Sequence, residues 1–232
     1  MKSRKVNYHT ILQITFCFAL GISKAQLNND AGMWNTFSIS HELKKNVNLN
    51  IDQEFRLREN YSRVNLFYTN IGISIKKKNW KIEPSYRHID KVNLDASVSF
   101  RHRFMLDINF KKKFGDFSIS ERARYQIEVK NVFSSKRAFL PEQYLRMRTM
   151  IDYNINDYFT TYLSCELRYQ IDVPNSDIVF NGFWHRIRNV LGVDYKINRK
   201  NTVGVYYLVQ NEFNISPPEN IYITGLQYSL KL

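Results

Sequence analysis

Apolar and polar residues alternate along most of this chain. In VNLNIDQEFRLRE, Val47, Leu49, Ile51, Phe55 and Leu57 share one face, and Asn48, Asn50, Asp52, Glu54, Arg56 and Arg58 share the other. VSFRHRFMLDINF divides the same way, with Val98, Phe100, Phe104, Leu106, Ile108 and Phe110 opposite Ser99, Arg101, Arg103, Asp107 and Asn109. The split recurs around residues 117–129, 145–155, 159–171, 183–197 and 203–213. Period two is the signature of a strand with two unlike faces. These runs reach roughly 11 to 15 residues, where strands of soluble sheets usually have about five or six. Such lengths suit a tilted bilayer crossing, which takes about 9–11 residues.

The connections have a rhythm of their own. Short turns fall near residues 44–46, 76–79, 111–116, 156–157 and 198–201, and longer loops at 131–142, 172–181 and 214–219. Short turns at one end and long loops at the other predict an all-β, antiparallel outer-membrane barrel with periplasmic turns. Trp80, Phe114, Phe117, Tyr153, Tyr158, Phe159 and Tyr195 gather near the turns, as an interfacial girdle would. Strands are expected to begin near Gly32 and at about 47, 64, 80, 97, 116, 143, 158, 182, 202 and 220. Even strand numbers with both ends periplasmic are the bacterial rule. That rule favours twelve strands, with a short extra one before Trp34, or ten if one segment is excluded.

The N-terminal segment changes the picture of where the chain goes. Lys2, Arg4 and Lys5 precede an apolar run at residues 11–22, and Ser23 and Ala25 are small, so residues 1–25 read as a cleaved signal peptide and 26–232 as the barrel domain. The run is shorter than the ~20 residues of a spanning helix. Cys17 would leave with the signal, and the remaining Cys165 cannot form an internal disulfide. Loss of Lys2, Arg4, Lys5 and Lys24 lowers the formal charge from +13 to +9. Most of the Lys sits in turns and most of the Arg on one strand face, which argues against nucleic-acid binding on basicity alone.

The N-terminal Trp34, the regularly spaced strands, the repeated Arg-x-Arg and a chain that ends inside a strand resemble the "domain of unknown function 2490" family, found mainly in Bacteroidota outer membranes. The resemblance covers the whole of 26–232 and implies the barrel fold and an outer-membrane location in a Gram-negative bacterium. That family brings no established activity with it. The C-terminal strand, with Leu226, Tyr228, Leu230 and Leu232 on one face, resembles the signal read by the barrel-assembly machinery, although it ends in Leu rather than Phe or Trp.

Candidate chemistry lies in the arginines. Arg56/Arg58, Arg101/Arg103, Arg122/Arg124, Arg146/Arg148 and Arg186/Arg188 are each two residues apart, and Arg87 and Arg168 share their parity. Spacing of two puts both members on the face opposite the apolar one, hence into the lumen. An Arg on the lipid face at mid-membrane would cost about 2–4 kcal/mol. Strand direction places all twelve in the outer half, with Arg122 and Arg124 about midway. Glu54, Glu128, Glu166 and Glu212 are near enough to pair with them, while Asp107, Asp152 and Asp194 are expected lower. One reading is a sealed, Arg/Glu-packed lumen with functional extracellular loops at 131–142 and 172–181. Another is a site or path for small anionic solutes or lipid headgroups.

His41, His88, His102 and His185 lack metal-ligand spacing, and His102 and His185 have lipid-face parity. Glu121 is an acid on the lipid face and suggests a bulge. No Ser-His-acid set emerges, so no catalytic residue, metal or cofactor is assigned, and a lipid-modifying enzyme is the least favoured reading. The expected partners are outer-membrane lipid, the assembly machinery and a small anionic molecule.

Overall fold

A computed structural model describes residues 28–130, 141–172 and 183–232. The signal-peptide reading of 1–25 and most of the loops at 131–142 and 172–181 lie outside those residues. The described chain is strand and turn throughout: β1 (Asn28–Lys44), β2 (Val47–Arg58), β3 (Arg63–Lys77), β4 (Trp80–Val92), β5 (Val98–Phe114), β6 (Phe117–Lys130), β7 (Glu142–Asn154), β8 (Phe159–Asp172), β9 (Phe183–Lys196), β10 (Asn201–Glu212) and β11 (Glu219–Lys231). Each neighbours the next, and β1 pairs with β11, so the sheet closes into a barrel without edges.

The closure corrects the expected strand number. Eleven strands form the barrel among the described residues, not twelve or ten, and no separate strand precedes Trp34 because β1 itself starts at Asn28. An odd count is accommodated because β1 and β11 run parallel, in register from Asn28↔Glu219 to Ser40↔Lys231. The two ends of the described chain therefore lie at opposite rims, not together. β1 begins at the loop rim, beside the start of β11, and Leu232 lies at the turn rim, where its amide donates to the Ser40 carbonyl.

Register partners followed once round the wall from Ser99, through Arg56, Trp34, Tyr206 and Tyr162, return to β5 at Lys113. A displacement of that size along the strand means strongly tilted strands. The outer face carries the exposed apolar residues: Ile71, Ile73 and Ile75 on β3, Phe104, Leu106 and Ile108 on β5, Val203 and Val205 on β10. Near the turn rim aromatics pair across strands, Trp80 with Phe110 at 5.0 Å, Phe117 with Tyr153 at 4.5 Å and Phe159 with Tyr195 at 4.9 Å.

The inner face is polar with one apolar patch, where Trp34, Leu208, Ile221 and Ile223 cluster and Val190 and Tyr206 pack against them. Two glycines make room inside. A Cβ at Gly225 would land on the Tyr206 ring, and one at Gly192 on the Tyr162 ring, so each glycine lets a neighbouring aromatic lie flat against its strand.

Candidate functional site

The arginines occupy the inner face from mid-wall to the loop rim. β2, β4, β6 and β8 rise to that rim, carrying Arg56, Arg58, Arg87, Arg122, Arg124 and Arg168; β5, β7 and β9 descend from it, carrying Arg101, Arg103, Arg146, Arg148, Arg186 and Arg188. Strand alternation aligns each pair on one wall, and the concave surface brings walls two strands apart into contact.

Glu166 is the hub. It accepts from Arg122 on β6, from Arg146 Nε on β7 at 3.0 Å, and lies 3.6 Å from Arg188 Nη1 on β9. Arg188 Nε also donates to Gln210 at 2.7 Å. Glu128 accepts from Arg101 Nη1 at 3.0 Å and from Arg103 Nε at 2.9 Å. Glu212 takes Arg186 Nε at 2.9 Å. Glu54 takes Arg56, and also accepts from Thr36 at 2.8 Å and Tyr68 at 3.0 Å. The four glutamates singled out from the sequence thus each bind members of the arginine set.

Three further carboxylates join them. Asp107, expected lower, sits level with Arg124 and takes its Nε and Nη2 at 2.6 and 2.7 Å, the parallel two-bond geometry that suits guanidinium. Its β5 position is registered directly opposite Arg124, and a strand pair brings such side chains together. Asp30 and Glu219, from the starts of the two parallel strands, hold Arg58 between them. Asp152 and Asp194 do lie nearer the turn rim, where Asp152 takes Lys111 Nζ at 2.7 Å and Asp194 takes Gln227 Nε2 at 2.6 Å.

Seven carboxylates therefore face twelve guanidinium groups. Among the described residues, Arg87, Arg148 and Arg168 pair with none. Arg87, 8 % exposed, stacks its guanidinium 3.7 Å above the Tyr68 ring, and its Nε has no hydrogen-bond partner. Arg168 donates to His185 Nε2 at 2.8 Å and lies 4.6 Å from the Tyr144 ring centre. Stacking on aromatic faces offsets part of the charge at Arg87 and Arg168. Trp34 receives two guanidinium groups from different walls, Arg56 at 3.6 Å and Arg188 at 5.5 Å.

One outward assignment and one expected bulge need correcting. His185 faces inward and is 2 % exposed. The β8–β9 register slips between Arg168↔Arg186 and Tyr169↔Trp184, so His185 is an extra residue and the alternation changes phase there. Glu121 is outward as expected, but no register shift accompanies it; Thr149 on β7 donates its hydroxyl to it at 2.8 Å. His102 stays outside, with its Nδ1 2.7 Å from Tyr86 Oη and its ring against His88. The roles of Trp34, Asp30 and Glu219 were not evident in the sequence. The parity of Trp34 and of Ile221 and Ile223, opposite Leu226 and Tyr228, was the readable sign that apolar residues also face inward.

Toward the turn rim the inner face changes character. Short polar groups bond across strands, to one another or to a carboxylate: Ser38 to Asp52 at 2.7 Å, Ser40 to Asn50 at 2.9 Å, Asn50 to Ser74 at 3.1 Å and Ser118 to Asp152 at 2.7 Å. Among the described residues no three of His, Cys, Asp and Glu come together as a metal site.

The chain is similar in structure to the NanC porin, at 14 % identity and a TM-score of 0.52, over 88 % of this chain and 99 % of that one. Lower-scoring similarities are to the outer-membrane expressed OmpT of Vibrio cholerae (10 % identity, TM-score 0.40, 72 % of this chain and 54 % of that one) and to the translocator domain of the autotransporter NalP from Neisseria meningitidis (12 % identity, TM-score 0.42, 87 % and 90 %). No curated protein matches the chain. The likeness to the porin is one of fold. A family described as "Protein of unknown function (DUF2490)" matches residues 31–221, from β1 into β11, and the chain belongs to that family.

Proposed function

We propose that this protein is an outer-membrane barrel of a Gram-negative bacterium whose inner arginine belt binds small anionic solutes and lets them pass. The observation that carries the reading is the surplus of guanidinium over carboxylate, concentrated at Arg87, Arg148 and Arg168. A guanidinium left dry and unpaired costs several kcal/mol, so water or an anion must complete the belt. Planar forks suit carboxylate and phosphate oxygens, and a ring of fixed charge sets the sign of what a pore admits. The apolar outer face and the aromatic pairs near the turn rim support a membrane setting, and the likeness to a porin fold supports the outer one. Binding and passage need no covalent chemistry, and none is assigned.

A second reading rests on a specific contact. Trp34 lies between Arg56 and Arg188, and Glu166 bridges three strands, so the belt can also act as a packed plug. Its contacts with partners would then be made by the loops.

Purified protein in planar bilayers under a salt gradient separates the two. The expected result is a reversal potential on the anion side, moved toward zero when Arg87, Arg148 and Arg168 are changed together to Gln. Cation preference, or no conductance at all, defeats the anion path.

A further inference from the structure

Beyond the belt, a cavity of about 1040 Å3 opens at the loop rim, between the start of β1, the β2–β3 turn and the β4–β5 turn. Its walls include Arg58, Asn60, Arg63, Lys91 and Asn93. The frame is braced from three sides. Asn60 N donates to Asp30 Oδ1 at 3.2 Å, which ties the β2–β3 turn to β1. Arg63 bonds Glu59 at 2.7 Å and the Asn93 carbonyl at 3.2 Å, which ties that turn to the next. Ser97 closes the β4–β5 turn on Asn93 and Asp95. Glu59, Asn60 and Tyr61 hold φ of 54°, 53° and 69°, a left-handed run that non-glycine residues keep only where their surroundings impose it.

Most charges in this cavity are already answered. Arg58 is held by Asp30 and Glu219, Glu59 by Arg63, and Asp95 by Ser97. Lys91 is the exception. It sits on the inner face of β4, and among the described residues its ammonium makes no hydrogen bond or ion pair. The strongest charges acting on it, those of Arg101, Arg58 and Lys130, have its own sign. Glu128, the nearby carboxylate, is engaged by Arg101 and Arg103. Arg63 is a partial second exception: Glu59 and the Asn93 carbonyl hold its terminal nitrogens, but among the described residues its Nε has no hydrogen-bond partner. The walls otherwise offer carboxamides at Asn29, Asn60, Asn65 and Asn93, which exchange hydrogen bonds with hydroxyls in either direction.

We propose that this cavity binds a small soluble molecule carrying one oxyanion group, phosphate or carboxylate, beside several hydroxyls. Lys91 and Arg63 take the oxyanion and the asparagine amides take the hydroxyls. Asp30, Arg58, Lys91 and Glu219 line it from the inner face of the wall, so its ligand comes from solution and not from a lipid. The volume is at the upper end of small-molecule sites, too large for a bare inorganic ion. The proposal rests on the anion reading of the barrel and adds to it a capture step ahead of the belt.

Titration calorimetry on the folded barrel in detergent tests it, with glucose 6-phosphate as probe and glucose as control. Glucose 6-phosphate should bind saturably and glucose should not. Lys91→Gln combined with Arg63→Gln should weaken binding by about tenfold or more, the effect of about 1.4 kcal/mol of lost interaction. Lys91→Arg should keep most of the binding. Retained heat-modifiable mobility on gels identifies the variants that still fold. Affinity that ignores both Lys91→Gln and Arg63→Gln, or no binding at millimolar probe, overturns the site. A barrel that binds glucose 6-phosphate but conducts nothing overturns the anion path alone.

Discussion

The two halves of the inner face solve the same problem with different chemistry. Both must fill or wet the inside of a wall whose outside is apolar. The half near the loop rim does so with long cations and the carboxylates that tie them, Glu166 serving three strands and Glu128 two arginines. Near the turn rim the inner face relies on Ser, Thr and Asn, whose hydrogen bonds to one another and to Asp52 and Asp152 span neighbouring strands. In the first half each group depends on the charge of its neighbours. In the second each depends on the space its neighbours leave. The two halves should therefore fail under different substitutions.

The largest effect is expected at the hub. Glu166→Gln keeps the volume and removes the charge shared by Arg122, Arg146 and Arg188. Breaking a buried ion pair by losing one partner typically costs about 3–5 kcal/mol. Urea unfolding in lipid or detergent micelles measures it. A cost below about 1 kcal/mol would mean that the belt is as well solvated as a protein surface, and the contrast between halves would disappear.

Gly192→Val comes next and probes space instead. The new side chain would occupy the place of the Tyr162 ring, and overpacking of this kind costs about 1–3 kcal/mol. The same unfolding experiment should show the loss, and adding Tyr162→Ala to Gly192→Val should recover part of it. Failure to recover would show that the strand itself, and not the ring, responds to the substitution.

Ser40→Ala should matter least. It removes one neutral hydrogen bond to Asn50, worth about 0.5–1.5 kcal/mol, and Asn50 continues to donate to Ser74 at 3.1 Å. A loss as large as that of Glu166→Gln would place a hidden charge network in the turn-rim half.

Strand starts were the most legible part of the fold. Alternation places them near 47, 64, 80 and 97, and β2, β3, β4 and β5 begin at Val47, Arg63, Trp80 and Val98. Alternation is a property of each strand alone, which is why it can be read locally. Closure depends on which ends meet, and the even-number expectation assumed an antiparallel seam that β1 and β11 do not make. His185 failed for a related reason: one extra residue between Trp184 and Arg186 reverses the phase, and nothing in the local pattern marks the insertion. Asp107 was assigned to the inner face but too far from its partner, because the register of β5 on β6, which sets it opposite Arg124, is not written in either strand alone. Trp34 stood out in the sequence as part of the family resemblance and as a marker of the first strand, not as a ring that receives guanidinium groups. Its contact with Arg188 on β9, reached from β1 across the seam by way of β11 and β10, has no local signature.

The seam between β1 and β11 sets a timetable. Every other neighbouring pair of strands follows directly in the chain and can zip as a hairpin, but Asn220 reaches Asn29 across 191 residues. Contacts between such distant positions wait until the intervening chain is ordered. Parallel ladders are also slightly weaker per residue than antiparallel ones. The seam is therefore the last join to form and the first to part under load. Trp34, Ile221 and Ile223 meet on its inner side as a clasp of apolar contact where the ladder is weakest. Should the wall ever open sideways, the breach would run along that line.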